Sequence, residues 1–542
     1  MANQIVLVNV QQTLAPTPNK LQQTGAFVSQ GGTSLTPGTY SLLTQASSLT
    51  SLLIGATTVS GIAQTAGLAT VTLVSTTISS GTYNSTTGLV TLTLAAASGL
   101  KPGNLVTISS ATGTGSFASI NGTWSAGTAT TGTTLTFTIA TTLTMTITGG
   151  SVAGTTGLAN GTQFWVTIAG ATGSTVAYNG TFLATVASAT TFTYAVPSGT
   201  ASPATGTLTA TLGNSGELQQ MNTTFWAQGS QTSVYVLELG AGTPAQGVTA
   251  LSAFITANTP QFFYSYLVPR IWAAESTFVT FAGTFTATNS RTYFFITATT
   301  GNYSSWSTPG TLKSALVMIE APNIPSTEFS LASTFWDTLS YNPSSTNQVP
   351  PLAFTYEYGV TAYPPAGNGT LFATLRAANV NIIGTGAEGG ISNTIIFWGH
   401  LMDGNPFNYW YSIDWLAINE QLSLANAVIN GSNTSLNPLY YDQDGINRLQ
   451  SVAAQTISNW LSYGLGLGSV VLTELPQSQF VANYEAGLYA GQAVLNAEPF
   501  INYVAENPSD YAIGKYAGLW VVCSPLRGFE QIIFNINATQ FV

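Results

Sequence analysis

Two hydrophobic patterns divide the chain into an all-β section and a section that mixes strands with helices. Between residues 55 and 213, Val, Ile and Phe alternate with Thr at a period of two, and Asn-Gly or Pro-Gly pairs interrupt them. Such alternation is typical of half-buried strands joined by tight turns. After Glu217, short apolar runs alternate with longer stretches whose apolar residues recur at helical spacing. The pattern therefore predicts a multidomain protein of the α+β or α/β class that also contains an all-β sandwich or barrel module.

The all-β section contains a repeat. The tripeptide Asn-Gly-Thr at position 121 has a counterpart at position 179, 58 residues later, and the strand-like runs around it recur in the same order. A flexible linker lacks regularly placed large side chains, whereas aromatic residues recur here at Trp124, Phe137, Phe164, Trp165, Phe182, Phe192 and Tyr194. We interpret the section as one or two small β units, and the alternative is a low-complexity linker.

The section after residue 217 alternates predicted strands with predicted helices, which favours an α/β domain with a largely parallel sheet. The predicted helices span 218–228, 244–257, 274–284, 326–339 and 370–378, and the predicted strands span 234–239, 262–268, 292–298, 315–319 and 380–383. Two longer helices are predicted at 414–429 and 445–461, the first with Asp414 as its N-cap and Gly431 at its end. The C-terminal part is therefore expected to be the more helical one.

Both ends of the chain are predicted to form short apolar strands. An apolar strand with unpaired backbone groups invites pairing with another strand. Two interpretations remain open: each terminal strand is donated to the sheet of a neighbouring subunit, or each completes a sheet of its own chain. The residues concerned are Ile5, Val6, Leu7, Val8 and Val10 at one end, and Ile532, Ile533, Phe534 and Ile536 at the other.

Charge is scarce, which changes the picture from a freely diffusing protein to an assembly. Only 5% of residues are charged, where about 25% is typical. Much of the surface must therefore be uncharged and rich in hydroxyl groups, or be covered by other copies of the chain. The net charge of −10, without adjacent basic residues, excludes a nucleic-acid-binding patch and an anionic-membrane surface.

Targeting and redox features point to assembly inside a cell. The first residues lack the basic start and long apolar core of a signal peptide, and no apolar run is long enough to predict a membrane span. The single cysteine, Cys523, allows no disulfide within the chain. That fits a reducing cytosol, and Cys523 itself is expected to be a small buried apolar residue.

Side chains that carry out catalysis are few. The single histidine, His400, lies three residues before Asp403, but no Gly-x-Ser-x-Gly motif accompanies them. The chain offers two Cys or His residues in total, where a zinc site takes about four ligands. Asp442 and Asp444 lack the later ligands of a calcium loop, so we expect a turn and helix cap. We predict no enzyme, no catalytic residue, no metal and no cofactor, although a carboxylate pair formed only by folding stays open.

The order of these segments resembles that of contractile bacteriophage tail sheath proteins. The terminal apolar strand is followed by a Pro-containing extension, and later a predicted helix at 218–228 leads into the strand at 234–237. The last third is the most specific part: Tyr441-Asp442-Gln443-Asp444-Gly445-Ile446 leads into a helix, and Ser524-Pro525-Leu526-Arg527-Gly528 precedes the terminal strand. The resemblance covers residues 1–54 and about 214–542.

The resemblance implies a division into domains. Residues 1–54 would form the N-terminal arm and the start of the core, 214–400 the α/β core, and 401–542 a sheath-like C-terminal domain with a terminal arm. The β section, 55–213, is similar to the immunoglobulin-like modules that are inserted in phage surface proteins. As a loop insertion it would lie on the outer surface.

The resemblance also implies a function. Subunits would form hexameric rings stacked around a tail tube, linked by the terminal strands, and contraction would drive the tube through the host envelope for genome ejection. The implied partners are other copies of the chain, the tail tube protein, and baseplate and tail terminator proteins. The implied location is the tail of the virion, after assembly in the bacterial cytoplasm. Two alternatives are a tail fibre or adhesin that binds a receptor through the β module, and a secreted polysaccharide-binding or depolymerising enzyme.

Overall fold

The computed structural model describes most of the chain as two compact units. One, which we call the larger unit, comprises residues 23–340 and 352–405, and the other, the smaller unit, comprises parts of 1–22, 341–351 and 406–542. The described residues are 20–54, 57–100, 104–140, 142–156, 160–161, 163–258, 262–308, 310–322, 324–325, 327–343, 346, 349–365, 367–385 and 393–532. The helices within these ranges include no segment long and apolar enough to cross a membrane.

The larger unit combines a core sheet, its helices and a long β section. Its described strands are β1 (Gly25–Ser29), β2 (Tyr40–Leu43), β3 (Thr57–Thr65), β4 (Leu68–Leu73), β5 (Ser75–Tyr83), β6 (Leu89–Leu94), β7 (Leu105–Gly115), β8 (Gly122–Ser125), β9 (Thr134–Thr138), β10 (Met145–Gly154), β11 (Gln163–Ala171), β12 (Gly180–Ser188), β13 (Thr191–Ala195), β14 (Gly206–Leu212), β15 (Val234–Glu238), β16 (Ser265–Leu267), β17 (Tyr293–Ala298), β18 (Ala315–Ile319), β19 (Ile382–Thr385) and β20 (Thr394–Phe397). Its helices are α1 (Ala46–Thr50), α2 (Ser215–Gln228), α3 (Pro244–Ala257), α4 (Ser276–Gly283), α5 (Ser304–Ser307), α6 (Leu331–Ser340) and α7 (Gly369–Ala377), with 3₁₀ turns at Phe117–Ile120, Gly173–Tyr178 and Arg270–Ala274.

The core sheet of the larger unit has six strands in the order β18-β17-β16-β1-β15-β2. All neighbours are parallel except β2, which runs antiparallel to β15. Every residue of β17 and β18 is buried, and strands covered on both faces read as continuous apolar runs. The prediction of a mixed α/β fold with a largely parallel sheet is confirmed.

Most helices and strands around the core sheet begin and end within three residues of their predicted limits. Helix α3 matches the predicted 244–257, and the Thr243 side chain caps it. Helix α6 begins at Leu331, five residues later than predicted. The reason is that the preceding Ser330 donates its backbone N–H to the Glu320 carboxylate at 2.9 Å. The strand predicted at 262–268 is also shorter, because only the three residues of β16 pair with its neighbours.

Strands β3 to β14 form two small sheets with one topology. Strands β5 to β10 form an open sheet in the order β8-β7-β10-β5-β6-β9, whereas β3, β4 and β11 to β14 close into a barrel, β11-β12-β13-β4-β3-β14. Each strand of the open sheet has a counterpart in the barrel: β5 corresponds to β3, β6 to β4, and β7, β8, β9 and β10 correspond in turn to β11, β12, β13 and β14. With these correspondences the strand order of the open sheet becomes that of the barrel. The barrel differs by one extra pairing, between β12 and β13. The open sheet is therefore a second copy of the barrel topology, inserted between β4 and β11.

The two Asn-Gly-Thr tripeptides of the repeat have equivalent local structures. Each asparagine follows a 3₁₀ turn. Asn121 Oδ1 accepts a hydrogen bond from the N–H of Ala111 at 3.0 Å, and Asn179 Oδ1 accepts one from the N–H of Ala171 at 2.9 Å. The glycine after each asparagine has a φ of 136° or 143°, a conformation that disfavours other residues. The motif is therefore a structural corner of each copy.

The two ends of the β section meet at the core sheet. Ser215 Oγ, at the start of α2, donates to the carbonyl oxygen of Ile54 at 2.8 Å. The side chain of Asn214 accepts from the N–H of Gln30 at 2.9 Å and donates to the carbonyl of Val28 at 3.1 Å. The chain thus leaves the core and returns to it at one place, as an insertion requires. The predicted domain limits stay a prediction.

The smaller unit contains two long helices and a three-stranded sheet. Helix α8 begins at Phe407, so the prediction of Asp414 as its N-cap was wrong: Asp414 is buried inside the helix, and Gly431 lies in its last turn. The buried stripe of this helix extends back to Phe407 and Tyr411, which explains the earlier start. The elements are α8 (Phe407–Ser432), α9 (Gln443–Ser462), β21 (Val470–Thr473), α10 (Gln477–Glu485), β22 (Ala493–Ala497), α11 (Phe500–Glu506), α12 (Pro508–Ala512) and β23 (Leu519–Val522).

Candidate assembly surface

The three-stranded sheet of the smaller unit has one buried strand between two edge strands. Its order is β21-β22-β23, with β21 parallel and β23 antiparallel to the central β22. All five residues of β22 are buried. In the described part of the chain neither β21 nor β23 pairs with a further strand. Each therefore has an outer edge whose backbone groups can pair with an added strand.

Glycines shape the approach to the first edge strand. The chain turns after α9, where the ring of Trp460 packs so closely on Gly466 that a Cβ at position 466 would lie 1.8 Å from the ring. Trp460 Nε1 donates to the hydroxyl of Ser412 at 2.9 Å, which fixes the ring against α8. Gly468 has a φ of 92° and starts the run into β21. The glycines that the sequence places after α9 thus bring β21 into the sheet.

Both edge strands expose large apolar side chains. Val471 and Leu472 on β21 are 38% and 52% exposed, and Trp520 and Val521 on β23 are 39% and 40% exposed. Successive residues of a strand point to opposite faces, so the sheet exposes apolar groups on both faces near each edge. An exposed apolar edge is a site for pairing with another chain, and edge strands that stay free usually carry charged residues or proline. Neither β21 nor β23 carries one.

The remaining surface of the smaller unit is also apolar. Of the 27 large apolar side chains that are exposed among the described residues, 17 lie between Val428 and Ile532. The most exposed of them include Leu436, Ile501, Ile513 and Phe529. Extensive exposed apolar surface marks sites of interaction with other proteins. This unit, rather than the larger one, therefore carries the main candidate contact surface.

The predicted linking strands fall largely outside the described residues. Ile532 is described, is 78% exposed and belongs to no strand. The structure therefore brings none of the predicted residues together, and their role stays a prediction; those outside the description are Ile5, Val6, Leu7, Val8, Val10, Ile533, Phe534 and Ile536. The sequence analysis did not identify β21 and β23 as edge strands. The run Val470, Val471 and Leu472 was the available signal.

Folding brings two carboxylates into a cleft of the larger unit. The cleft, about 630 Å³, lies beyond the carboxyl ends of β16 to β18 and is lined by Glu217, Gln220, Arg270 and Glu320, among others. The Arg270 guanidinium bonds both oxygens of Glu320, at 2.5 and 2.9 Å, and the side-chain oxygen of Gln220 at 2.7 Å. The backbone N–H of Arg270 donates to Glu217 at 2.9 Å.

This arrangement is an ion cluster rather than an acid and base pair. Burial raises the pKa of Glu217, and the positive charge of Arg270 opposes the rise. Glu320 is held by two hydrogen bonds from Arg270, and the Arg270 guanidinium also stacks 4.1 Å from the ring centre of Phe329. Glycosidic chemistry needs one carboxyl group free to give a proton and another free to attack or activate water. Here both carboxylates are tied to the arginine.

The other residues of chemical interest have structural surroundings. Asp442 accepts from the N–H of Gly445 at 2.8 Å and caps α9, as predicted. A lone histidine in an apolar run predicts a packed core residue, but His400 is half-buried, and its backbone is bonded to the side chain of Asn381. Cys523 is also half-buried, and burial raises the pKa of its thiol to about 11, which disfavours the reactive thiolate. The described residues contain no cluster of potential metal ligands.

Comparison with known proteins gave matches only among solved structures. No family model matches the chain, and no curated protein matches it in sequence. The sheath tail protein of Listeria innocua is 8% identical, with a TM-score of 0.36 over 93% of this chain and 94% of its own. A sheath tail protein of Desulfitobacterium hafniense is 10% identical, with a TM-score of 0.37 over 85% of this chain and 90% of its own. At these TM-scores the likeness carries no argument about function.

Proposed function

We propose that this chain is the structural subunit of a contractile phage tail sheath. The observation that carries the proposal is the three-stranded sheet of the smaller unit, whose two edge strands expose both their apolar side chains and their pairing edges. A protein built to remain single would protect such edges. In the proposed sheath, terminal strands of neighbouring copies add to β21 and β23.

The scarcity of charge supports the same proposal. A surface with only 5% charged residues offers little electrostatic repulsion between copies, and 17 exposed apolar side chains in the smaller unit favour burial against another protein. Added strands bring backbone hydrogen bonds, each of which contributes about 0.5–1.5 kcal/mol. Four such bonds would hold two subunits together by about 2–6 kcal/mol, before any apolar burial.

Strand addition also suits a polymer that must contract. Backbone pairing ties copies together while each subunit moves as a rigid body. The copies would stack as hexameric rings around a tail tube protein, between baseplate and terminator proteins, in the tail of the virion. The β section, which leaves and rejoins the core at one place, would project from the outer surface of the sheath.

The test is electron microscopy of the purified full chain and of three single variants. Leu472→Lys places a charge on β21, and Trp520→Lys places one on β23. Val176→Lys is the matched control, because Val176 is an exposed apolar residue, 57% exposed, in a turn of the barrel rather than on an edge strand. We expect hollow cylinders or stacked rings from the wild-type chain and from the control.

The edge variants should remain folded and lose assembly, because lysine on an edge strand opposes pairing. Circular dichroism equal to that of the wild-type chain would show that they are folded. Cylinders from both edge variants would contradict the role of the two edges. Thin trimeric rods from the wild-type chain would contradict the sheath and favour a fibre.

A further inference from the structure

In the larger unit, two acidic residues flank in sequence the segment 341–351, which belongs to the smaller unit. The chain leaves the larger unit after Ser340, the last residue of α6, and re-enters it at Leu352. Asp337 is in the last turn of α6, three residues before the exit. Glu357 lies five residues after the return. The two side chains therefore lie just before the chain leaves the larger unit and just after it returns.

The two carboxyl groups are buried and hydrogen-bonded to each other. Asp337 is 7% exposed and Glu357 is 1% exposed, and the side chains are in hydrogen-bonding contact. Glu357 Oε1 also accepts from the hydroxyl of Thr334 at 2.7 Å. The Ser333 hydroxyl also interacts with the Glu357 carboxyl and opposes the rise of its pKa, whereas among the described residues Asp337 Oδ2 and Glu357 Oε2 have no donor at normal hydrogen-bond geometry. A proton held between the two carboxyl groups would satisfy these oxygens, and two adjacent buried carboxylates cannot both ionise without a large penalty.

The described elements that surround the pair carry no cation to replace that proton. Helix α2, which packs on α6, carries Glu217, and this residue pairs with Arg270. Glu328, just before α6, accepts from the N–H and hydroxyl of Thr361 at 2.7 and 2.6 Å. Tyr356 and Tyr358 on the returning segment are exposed, and β17 contributes Tyr293. No Lys or Arg occurs in α2, α6, β17, β20 or residues 352–361.

Burial makes the pair sensitive to pH near neutrality. It raises the pKa of Glu357 to about 7 and raises that of Asp337 as well. Unfolded carboxyl groups lose their protons near pH 4, so between about pH 4.5 and 7 the folded chain holds more protons than the unfolded one. By linkage, the stabilisation from the pair is full below that window and is lost as the pH rises through it.

We propose that Asp337 and Glu357 form a proton-dependent lock within the larger unit, between the last turn of α6 and the segment 352–357. With the shared proton in place, the last turn of α6 and the segment 352–357 are held together. Loss of the proton leaves two buried negative charges, which separate and let water reach both segments. The lock is a property of the single chain and does not depend on the proposed assembly.

Hydrogen–deuterium exchange of the full chain between pH 5.5 and 8.5, corrected for the intrinsic pH dependence of exchange, tests the lock. In the wild-type chain we expect protection of peptides covering 331–340 and 352–361 to fall at least tenfold across this range. Peptides from α3 and β18 should change less than twofold. In the double variant Asp337→Asn/Glu357→Gln neither side chain can titrate and one amide can donate to the other, so protection at both segments should become independent of pH.

Two further variants keep the test decisive. Asp337→Asn alone leaves one titratable carboxyl with no second negative charge beside it, so its protection should change less across this range than that of the wild-type chain; it replaces the double variant if that variant fails to fold. Glu485→Gln, an exposed carboxyl group on α10, should behave as the wild-type chain does. Constant protection of both segments in the wild-type chain would overturn the proposal. An equal loss of protection in every peptide, or an unaltered pH response in the two pair variants, would overturn it as well.

Discussion

Individual buried polar residues hold loops in place in this chain, in which charged residues are scarce. Glu238, at the end of β15, is 1% exposed. Its carboxylate accepts from the backbone N–H groups of Gly31, Thr33 and Gly240, at 2.8, 3.0 and 2.7 Å, and from the hydroxyls of Ser29 and Thr33, at 2.6 and 2.7 Å. One carboxylate thus fixes the loops that follow two adjacent parallel strands.

Replacing this carboxylate should weaken the larger unit. Glu238→Gln puts an amide NH₂ where N–H and O–H donors converge, so at least one donor is left without an acceptor. We expect the free energy of unfolding to fall by about 2–4 kcal/mol, measured by denaturant unfolding followed through tryptophan fluorescence. The exposed Glu485→Gln is the control and should unfold like the wild-type chain. Equal stability of both variants would show that the five bonds are not needed.

The sequence could not have revealed this role of Glu238. Four of its five donors come from residues 29–33, about two hundred positions earlier, and only the pairing of β1 with β15 brings them together. The same holds for Asp337 and Glu357, whose contact depends on the return of the chain to the larger unit. Asp442 was predictable as a cap because its acceptor role is local, three residues from Gly445.

Helices and strands could likewise be predicted where the residues that determine them are neighbours in the sequence, and not where those residues are distant. Helix α3 and strand β18 could be predicted because capping and apolar runs are local signals. The start of α8 was missed because Phe407 and Tyr411 read as isolated aromatics until the helix buries them. The sequence revealed the repeat of the Asn-Gly-Thr tripeptides and the strands around them, because each copy of this stretch is continuous along the chain. The nesting of the open sheet inside the barrel was missed, because β3 and β4 pair with strands more than a hundred residues away.

The nested arrangement predicts that whole copies can be removed. Deleting 55–213 and joining residues 54 and 214 through two glycines should leave the core sheet folded, because Ser215 already bonds Ile54 across the gap. Deleting only 75–154 should preserve the barrel, because the N–H of Gly154 bonds the carbonyl of Val74 at 2.9 Å. Circular dichroism and thermal unfolding would check folding, and electron microscopy would check assembly.

The two deletions separate two interpretations of the β section. Folded, assembling protein from both would show that the section is dispensable for the core, as expected for an outward projection. Loss of folding after the larger deletion, with the smaller one tolerated, would show that the barrel is an integral part of the larger unit. In that case the predicted insertion would be limited to the open sheet.

At the scale of the whole molecule, the two units differ in how much apolar surface they expose. The larger unit encloses its core sheet and both β copies around buried clusters. The smaller unit buries the central strand of its sheet but leaves both edges and much of its surface apolar. With so few charges, contacts through this unit would rest on backbone pairing and apolar burial, which salt screens little. Assembly should therefore persist across a wide range of ionic strength.

If terminal strands provide that pairing, removing them should leave folded single subunits. Deletion of residues 1–12 or 531–542 removes the apolar runs predicted to link copies, and neither deletion touches a described strand or helix. We expect both truncated chains to sediment as monomers with unaltered circular dichroism, and a mixture of the two to stay unassembled if both strands are needed in each link. Tube-shaped assemblies from both truncated chains would contradict strand donation. Assembly lost in one truncation alone would assign the link to that end, and the edge variants on β21 and β23 would then identify the strand that receives it.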